Sequence, residues 1–381
     1  MKSFSFLIFV AMTFICWGIY GPVLHVGQEQ MAGGVGKASL RPFMCVGIAY
    51  FVIAVLYPLV VLKTKGESGN WSMMGFAWSF AAGIITAIGA LGIVLAFKFQ
   101  GKPVYVMPLV FGLAPIVNTF VTMVMSGTFK QASAKFYAGI VIVALGAAGV
   151  LLFQPANSKK PPVKTEQAAV MKTNYKLVSF QEDAQADSRE VETSDSPSEN
   201  GASANTPPAK KTPFNAMAVT ICIGITVVCW GSYGPLLHRG QVRMNNSRLR
   251  PLLCVGLAYF LVAVLAPWFL LAADTFPEPG GWSNTSGVAW SLVAGAAGAL
   301  GSLGIIYAFN FGGKPVFVMP LIFGFAPVIN TLTETITKNL LGQINSYFIV
   351  SLTMVIVGAA MVLIFAPRGK KPKPANEPAI T

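Results

Sequence analysis

The chain has 381 residues, of which 54% are hydrophobic and only 11% charged, with a mean hydropathy of +0.63. Soluble domains carry about 25% charged residues, so these values exclude a water-soluble protein and point to an all-α integral membrane protein in a lipid bilayer. The formal net charge of +13 does not mark a nucleic-acid binder, because the basic excess lies between apolar stretches. There, Lys and Arg set topology and meet lipid headgroups.

Five apolar stretches come first, at about 4–24, 42–62, 75–97, 103–125 and 136–154. Five more follow, at about 214–237, 251–272, 287–309, 315–336 and 346–366. Each is long enough to cross roughly 30 Å of hydrocarbon as a helix, so ten transmembrane helices are expected. Residues 1–24 have the charge and apolar run of a signal peptide. An internal counterpart at 214–237 favours a structural helix instead.

The two sets are copies. Between residues 92–119 and 304–331, 19 of 28 positions are identical. Cys16-Trp17-Gly18 returns as Cys229-Trp230-Gly231, Tyr20-Gly21-Pro22 as Tyr233-Gly234-Pro235, and Leu40-Arg41-Pro42 as Leu249-Arg250-Pro251. Five spans per copy is an odd number, so the halves are expected to enter the membrane in opposite senses, as an inverted repeat. The expected organisation is a first five-helix repeat over 1–154, a polar tether over 155–213, a second repeat over 214–367 and a basic tail over 368–381. The tether holds eight basic and eight acidic residues and too few apolar ones to order itself. Basic residues divide 14 to 5 in favour of an N-in, C-in orientation when the tether's flanks are left out, which suits a cell-membrane protein.

Trp17-Gly18 and Trp230-Gly231-Ser232 in the first helix of each half, Pro115 and Pro327 in the fourth, and the Gly139/Gly146 spacing in the fifth resemble the drug/metabolite transporter superfamily. The EamA-like proteins are the nearer match, and this chain would be a divergent member. It has a long tether, and Ser126-Gly127-Thr128-Phe129-Lys130 stands where a Gly-Glu-Arg/Lys signature is frequent. The resemblance implies secondary transport of a small metabolite through a central cavity lined by helices 1, 3, 4, 6, 8 and 9.

Candidate functional residues follow the repeat. Pro108 and Pro115, with counterparts Pro320 and Pro327, lie two turns apart and are expected to break a hydrogen-bond ladder on one side of a kinked helix. Trp17 with Tyr20, and Trp230 with Tyr233, share helix faces three residues apart; they would line a cavity or join an interfacial aromatic belt. Asn118, Thr119, Asn330 and Thr331 lie one turn past the central prolines, where they would contact substrate or bond neighbouring helices. Lys102 and Lys314 head the same helices, where snorkelling explains them. The only two histidines, His25 and His238, are equivalent, and read either as pH-sensitive gates or as polar helix ends. Glu334 is the one acid within an apolar stretch, a candidate for proton coupling unless its position near the span's end lets it reach water.

Nothing suggests an enzyme: no paired acids, nucleophile elbow, phosphate loop or HExxH occurs. The cysteines lie in apolar stretches without CxxC spacing, so no metal site, disulfide or cofactor is expected. The expected function is alternating-access transport of a small molecule. The alternative is a non-transporting membrane scaffold or sensor acting through its tether.

Overall fold

A computed structural model describes residues 5–34, 36–155, 214–311 and 315–366. The expected tether beyond Pro155, the basic tail and Lys314 lie outside the described residues. Among the described residues, ten long helices make up the fold. They are α1 (Ser5–Met31), α2 (Leu40–Thr64), α3 (Met73–Lys98), α4 (Pro103–Ser126), α5 (Ala134–Leu152), α6 (Ala216–Arg243), α7 (Leu249–Ala272), α8 (Thr285–Asn310), α9 (Pro315–Thr337) and α10 (Ser346–Ile364). Among the described residues, nine are long and apolar enough to cross a bilayer; in α9 the apolar helix is the shorter Leu321–Thr337. The protein is a multi-pass, all-α membrane protein. Ile8, Met73, Leu152 and Met217 project outward without protein cover, as a lipid solvent permits.

Local sequence explains the helix ends. Ser72, Ser133, Asn215, Asn284 and Asn345 accept from the backbone N–H three residues on, closing the first turns of α3, α5, α6, α8 and α10. After α4, Gly127 takes the left-handed conformation at φ 67°, and after α9 its counterpart Asn339 does so at φ 53°. Within α2 and α7, single π turns at Val52–Leu56 and Leu261–Leu265 precede Pro58 and Pro267. A wider turn there relieves the clash between the proline ring and the carbonyl four residues back.

Two expectations change. Pro108 and Pro115 lie inside an uninterrupted α4, and α9 likewise runs through Pro320 and Pro327. Each proline still removes one N–H from the ladder, but the helix continues past it. Nor do the first helices of the two halves end with their apolar stretches, at about 24 and 237. Helix α1 continues through Pro22 to Met31, and α6 through Pro235 to Arg243.

The two halves interlock rather than sit side by side. Helix α1 packs on α8 and α9, while its counterpart α6 packs on α3 and α4. Helix α2 packs on α8, and α7 on α3. Helices α5 and α10 cross each other beside α4 and α9. At that crossing Gly139 faces Met361 and Val362, and Gly146 faces Ser351 and Val355, leaving no space for a Cβ. Small residues let two membrane helices approach this closely.

Candidate functional site: a cavity between the halves

A cavity of about 570 Å³ lies where the halves meet. Its walls are paired: Trp17 with Trp230, Tyr20 with Tyr233, Tyr50 with Tyr259, and Phe111 with Phe323. Each tryptophan is fixed by the opposite half. The Trp17 indole donates to Gly298 O and the Trp230 indole to Thr86 O, both at 3.2 Å. The rings lie against Gly301 and Gly89, where a Cβ would overlap the indole. With their N–H groups engaged, the tryptophans present faces to the cavity. Tyr50 and Tyr259 stack in parallel at 4.2 Å, and Tyr50 also hydrogen-bonds Ser302 at 3.0 Å. These two tyrosines bring α2 and α7 into the lining, beyond the six helices that the family resemblance implies.

At one end the cavity reaches Thr122, Ser126, His238, Arg239, Gln241 and Arg248. Thr122, Ser126 and His238 are exposed. Arg239 stacks over Trp78 at 5.1 Å and donates to Met125 O at 3.5 Å. A second hollow of about 620 Å³ shares Arg248 and Ile306 with the first.

The opposite end is packed shut. His25 is 5% exposed and Gln28 is fully buried. The Gln28 amide donates to Ala38 O and Val94 O, both at 2.9 Å, tying α1 to the following loop and to α3. Lys37 Nζ donates to His25 Nε2 at 2.7 Å. Glu29 lies 3.6 Å from His25 and 3.2 Å from Lys338. Glu334 is 3% exposed, and its Oε2 has no hydrogen-bond partner among the described residues. Lys37 lies in the loop between α1 and α2, and burial pushes its pKa down to about 8, against the pull of Glu29.

The predicted residues therefore divide. Trp17, Tyr20, Asn118, Trp230, Tyr233 and His238 line the cavity. Asn330 does not: its amide donates to Pro103 O at 2.8 Å, the helix–helix bond that was the alternative to substrate contact. Thr119 bonds Pro115 O in its own helix at 2.9 Å, and Thr331 is buried away from the cavity. His25 and Glu334 lie in the shut end, so Glu334 does not reach water through its place near the end of α9.

Two carboxylates had no role in the sequence reading. Glu278 accepts from Ser39 N–H at 2.6 Å, Ser39 Oγ at 2.7 Å, and the Leu40 and Arg41 N–H groups, capping α2 from the other half. Its repeat counterpart Glu67 accepts from Ser247 Oγ at 2.6 Å and Arg248 N–H at 2.8 Å, capping α7. Arg41 and Arg250 stand 3.8 and 3.6 Å from these acids. The equivalence of Glu67 and Glu278 was the available signal.

Among the described residues, no group of three or more His, Cys, Asp or Glu is gathered as a metal would require. No protein-family model matches the chain, and no curated protein does.

Proposed function

We propose that the protein is a secondary transporter that moves a small molecule across the membrane by alternating access, as a divergent relative of the EamA-like drug/metabolite transporters. In this reading all ten helices span the bilayer as two inverted repeats, N-in and C-in, and the chain is caught open to the cytoplasm. One observation carries it. Residues equivalent by repeat occupy opposite situations at the two ends. His238, Gln241, Asn118, Thr122 and Ser126 line the open cavity. Their counterparts His25, Gln28, Asn330 and Glu334 are buried, and Lys338 is engaged with Glu29. Exchanging the conformations of the two halves would open the shut end and shut the open one, which is how inverted repeats alternate access.

Spin-label pairs placed across each end of the full-length protein in lipid nanodiscs test this. Alternating access requires two distances at each end, anticorrelated between the ends and shifted by substrate. One fixed distance at each end would favour the scaffold or sensor reading.

A further inference from the structure

The lining of the cavity also bears on what it carries, granted that it is the substrate path. None of the residues lining it is Asp or Glu, whereas Arg239 and Arg248 both face it at the open end. Among the described residues, no carboxylate stands within ion-pair distance of the Arg248 guanidinium. The nearby Glu67 is taken up by the backbone N–H groups of Arg248 and Leu249, the Ser247 hydroxyl and Arg250. A cavity with low-dielectric walls and uncompensated positive charge concentrates anions and repels cations. Cytoplasmic arginines are ordinary by the positive-inside rule, but that rule does not explain the other end. There, among the described residues, the charged groups that act on Lys37 are Lys102 and Lys338 with Glu29 and Glu334, three cations to two acids when Lys37 is counted. Both ends of the path carry the same sign.

The depth of the cavity has a different character. Trp17 and Trp230 offer ring faces, since their N–H groups are bonded to backbone. Phe111 lies between them, its ring 6.3 and 6.2 Å from the two indoles. Among the described residues, one fully buried polar atom of the lining is left over. Tyr20 is 5% exposed, lines the cavity, and its hydroxyl has no hydrogen-bond partner among the described residues. A buried hydroxyl without a partner is costly, and a ligand heteroatom would satisfy it.

We propose that the substrate is a small organic anion with a flat heteroaromatic body: Arg239 and Arg248 attract its charge from the open end, and its ring packs between the tryptophans beside Tyr20. Three probes sharing one ring separate charge from shape: indole-3-acetate, indole-3-acetamide and tryptamine, with acetate as the ringless control. They are titrated against the full-length protein in detergent, with Tm as the readout. Only indole-3-acetate should raise Tm. Arg248→Gln should weaken its Kd by a few-fold to about tenfold, as loss of one nearby unit charge does, while Arg248→Lys, which keeps the charge, should keep most of the affinity. An amide or amine that stabilises as well as the acid overturns the anion assignment, as does no shift with any of the three. Solute counterflow in proteoliposomes then separates the two readings. Exchange of a neutral or cationic solute leaves the transporter standing without the anion assignment, and no exchange of any solute removes both.

Discussion

Lys37 reaches across the shut end of the cavity to place its Nζ 2.7 Å from His25 Nε2. An ammonium can only donate, so this contact needs a neutral imidazole with its proton on Nδ1. A second proton on His25 would set two donors against each other and open the seal. Acid should therefore expose this end. A cysteine at Val26 in a cysteine-free background should label faster as pH falls. His25→Gln should remove the pH dependence, and His238→Gln, at an exposed position, should leave it intact. Labelling that ignores pH in the unmodified seal would remove the switch.

The same lysine links stability to alkaline pH. Its folded pKa is about 8 against an ordinary 10.5, with burial the main cause. Between those values the unfolded chain binds more protons than the folded one, so stability rises with pH across that window. Complete deprotonation is worth on the order of 3 kcal/mol by linkage. Lys37→Met should raise Tm near pH 7.5, and its advantage over the parent should shrink towards pH 10. An advantage that is constant with pH would mean that Lys37 is not buried as a cation.

The reciprocal caps predict an asymmetric pair of losses. Each acid satisfies orphan N–H groups at a helix start and meets the positive end of the helix dipole. The Glu278 side chain is 1% exposed and that of Glu67 is 19%. Replacement by Ala should cost about 1–3 kcal/mol at Glu278 and less at Glu67, where water can substitute. The two share no partner, so their effects should add; denaturation of the single and double variants in detergent measures this. A Glu278→Ala protein as stable as its parent would remove the cap.

How much of this was legible follows from what each residue's signal depends on. The helices were readable because lipid imposes long apolar runs, and the paired walls because Trp17/Trp230 and Tyr20/Tyr233 repeat in register. Which member of a pair faces the cavity was not readable. Asn118 and Asn330 sit in nearly identical local sequence, yet one lines the cavity and the other bonds Pro103 O. In the proposed cycle that difference belongs to the conformation, not to the residue. The ends of α1 and α6 were missed because the apolar runs stop near 24 and 237, whereas the helices continue through polar residues to Met31 and Arg243. Glu67 and Glu278 were missed because a loop acid shows no partner until the chain folds.

The glycine seats of the tryptophans give a sharper test of the cavity. A methyl group at Gly301 or Gly89 would occupy the space of the Trp17 or Trp230 ring, and a packed indole cannot yield as a flexible side chain can. Gly301→Ala and Gly89→Ala should each cost about 1–3 kcal/mol and displace one wall of the cavity. Ligand affinity should fall in both, by comparable factors, since the two seats are equivalent. A variant that keeps full affinity would show that its tryptophan is structural only.

Glu334 carries the last prediction. Its carboxyl is buried in α9, one turn from Lys338, and the equivalent position in α4 is Thr122, on the open cavity. Opening the shut end would bring Glu334 to water, so its protonation state can change once per cycle while that of Thr122 cannot. Such an acid couples transport to a proton gradient, and a glutamine has the shape of its protonated form without the titration. Glu334→Gln should therefore still exchange substrate at equal concentrations on both sides of a proteoliposome. It should fail to accumulate substrate when a pH gradient is imposed. If the variant concentrates substrate as the parent does, coupling lies elsewhere, and His25 is the remaining titratable group buried at that end with Lys37.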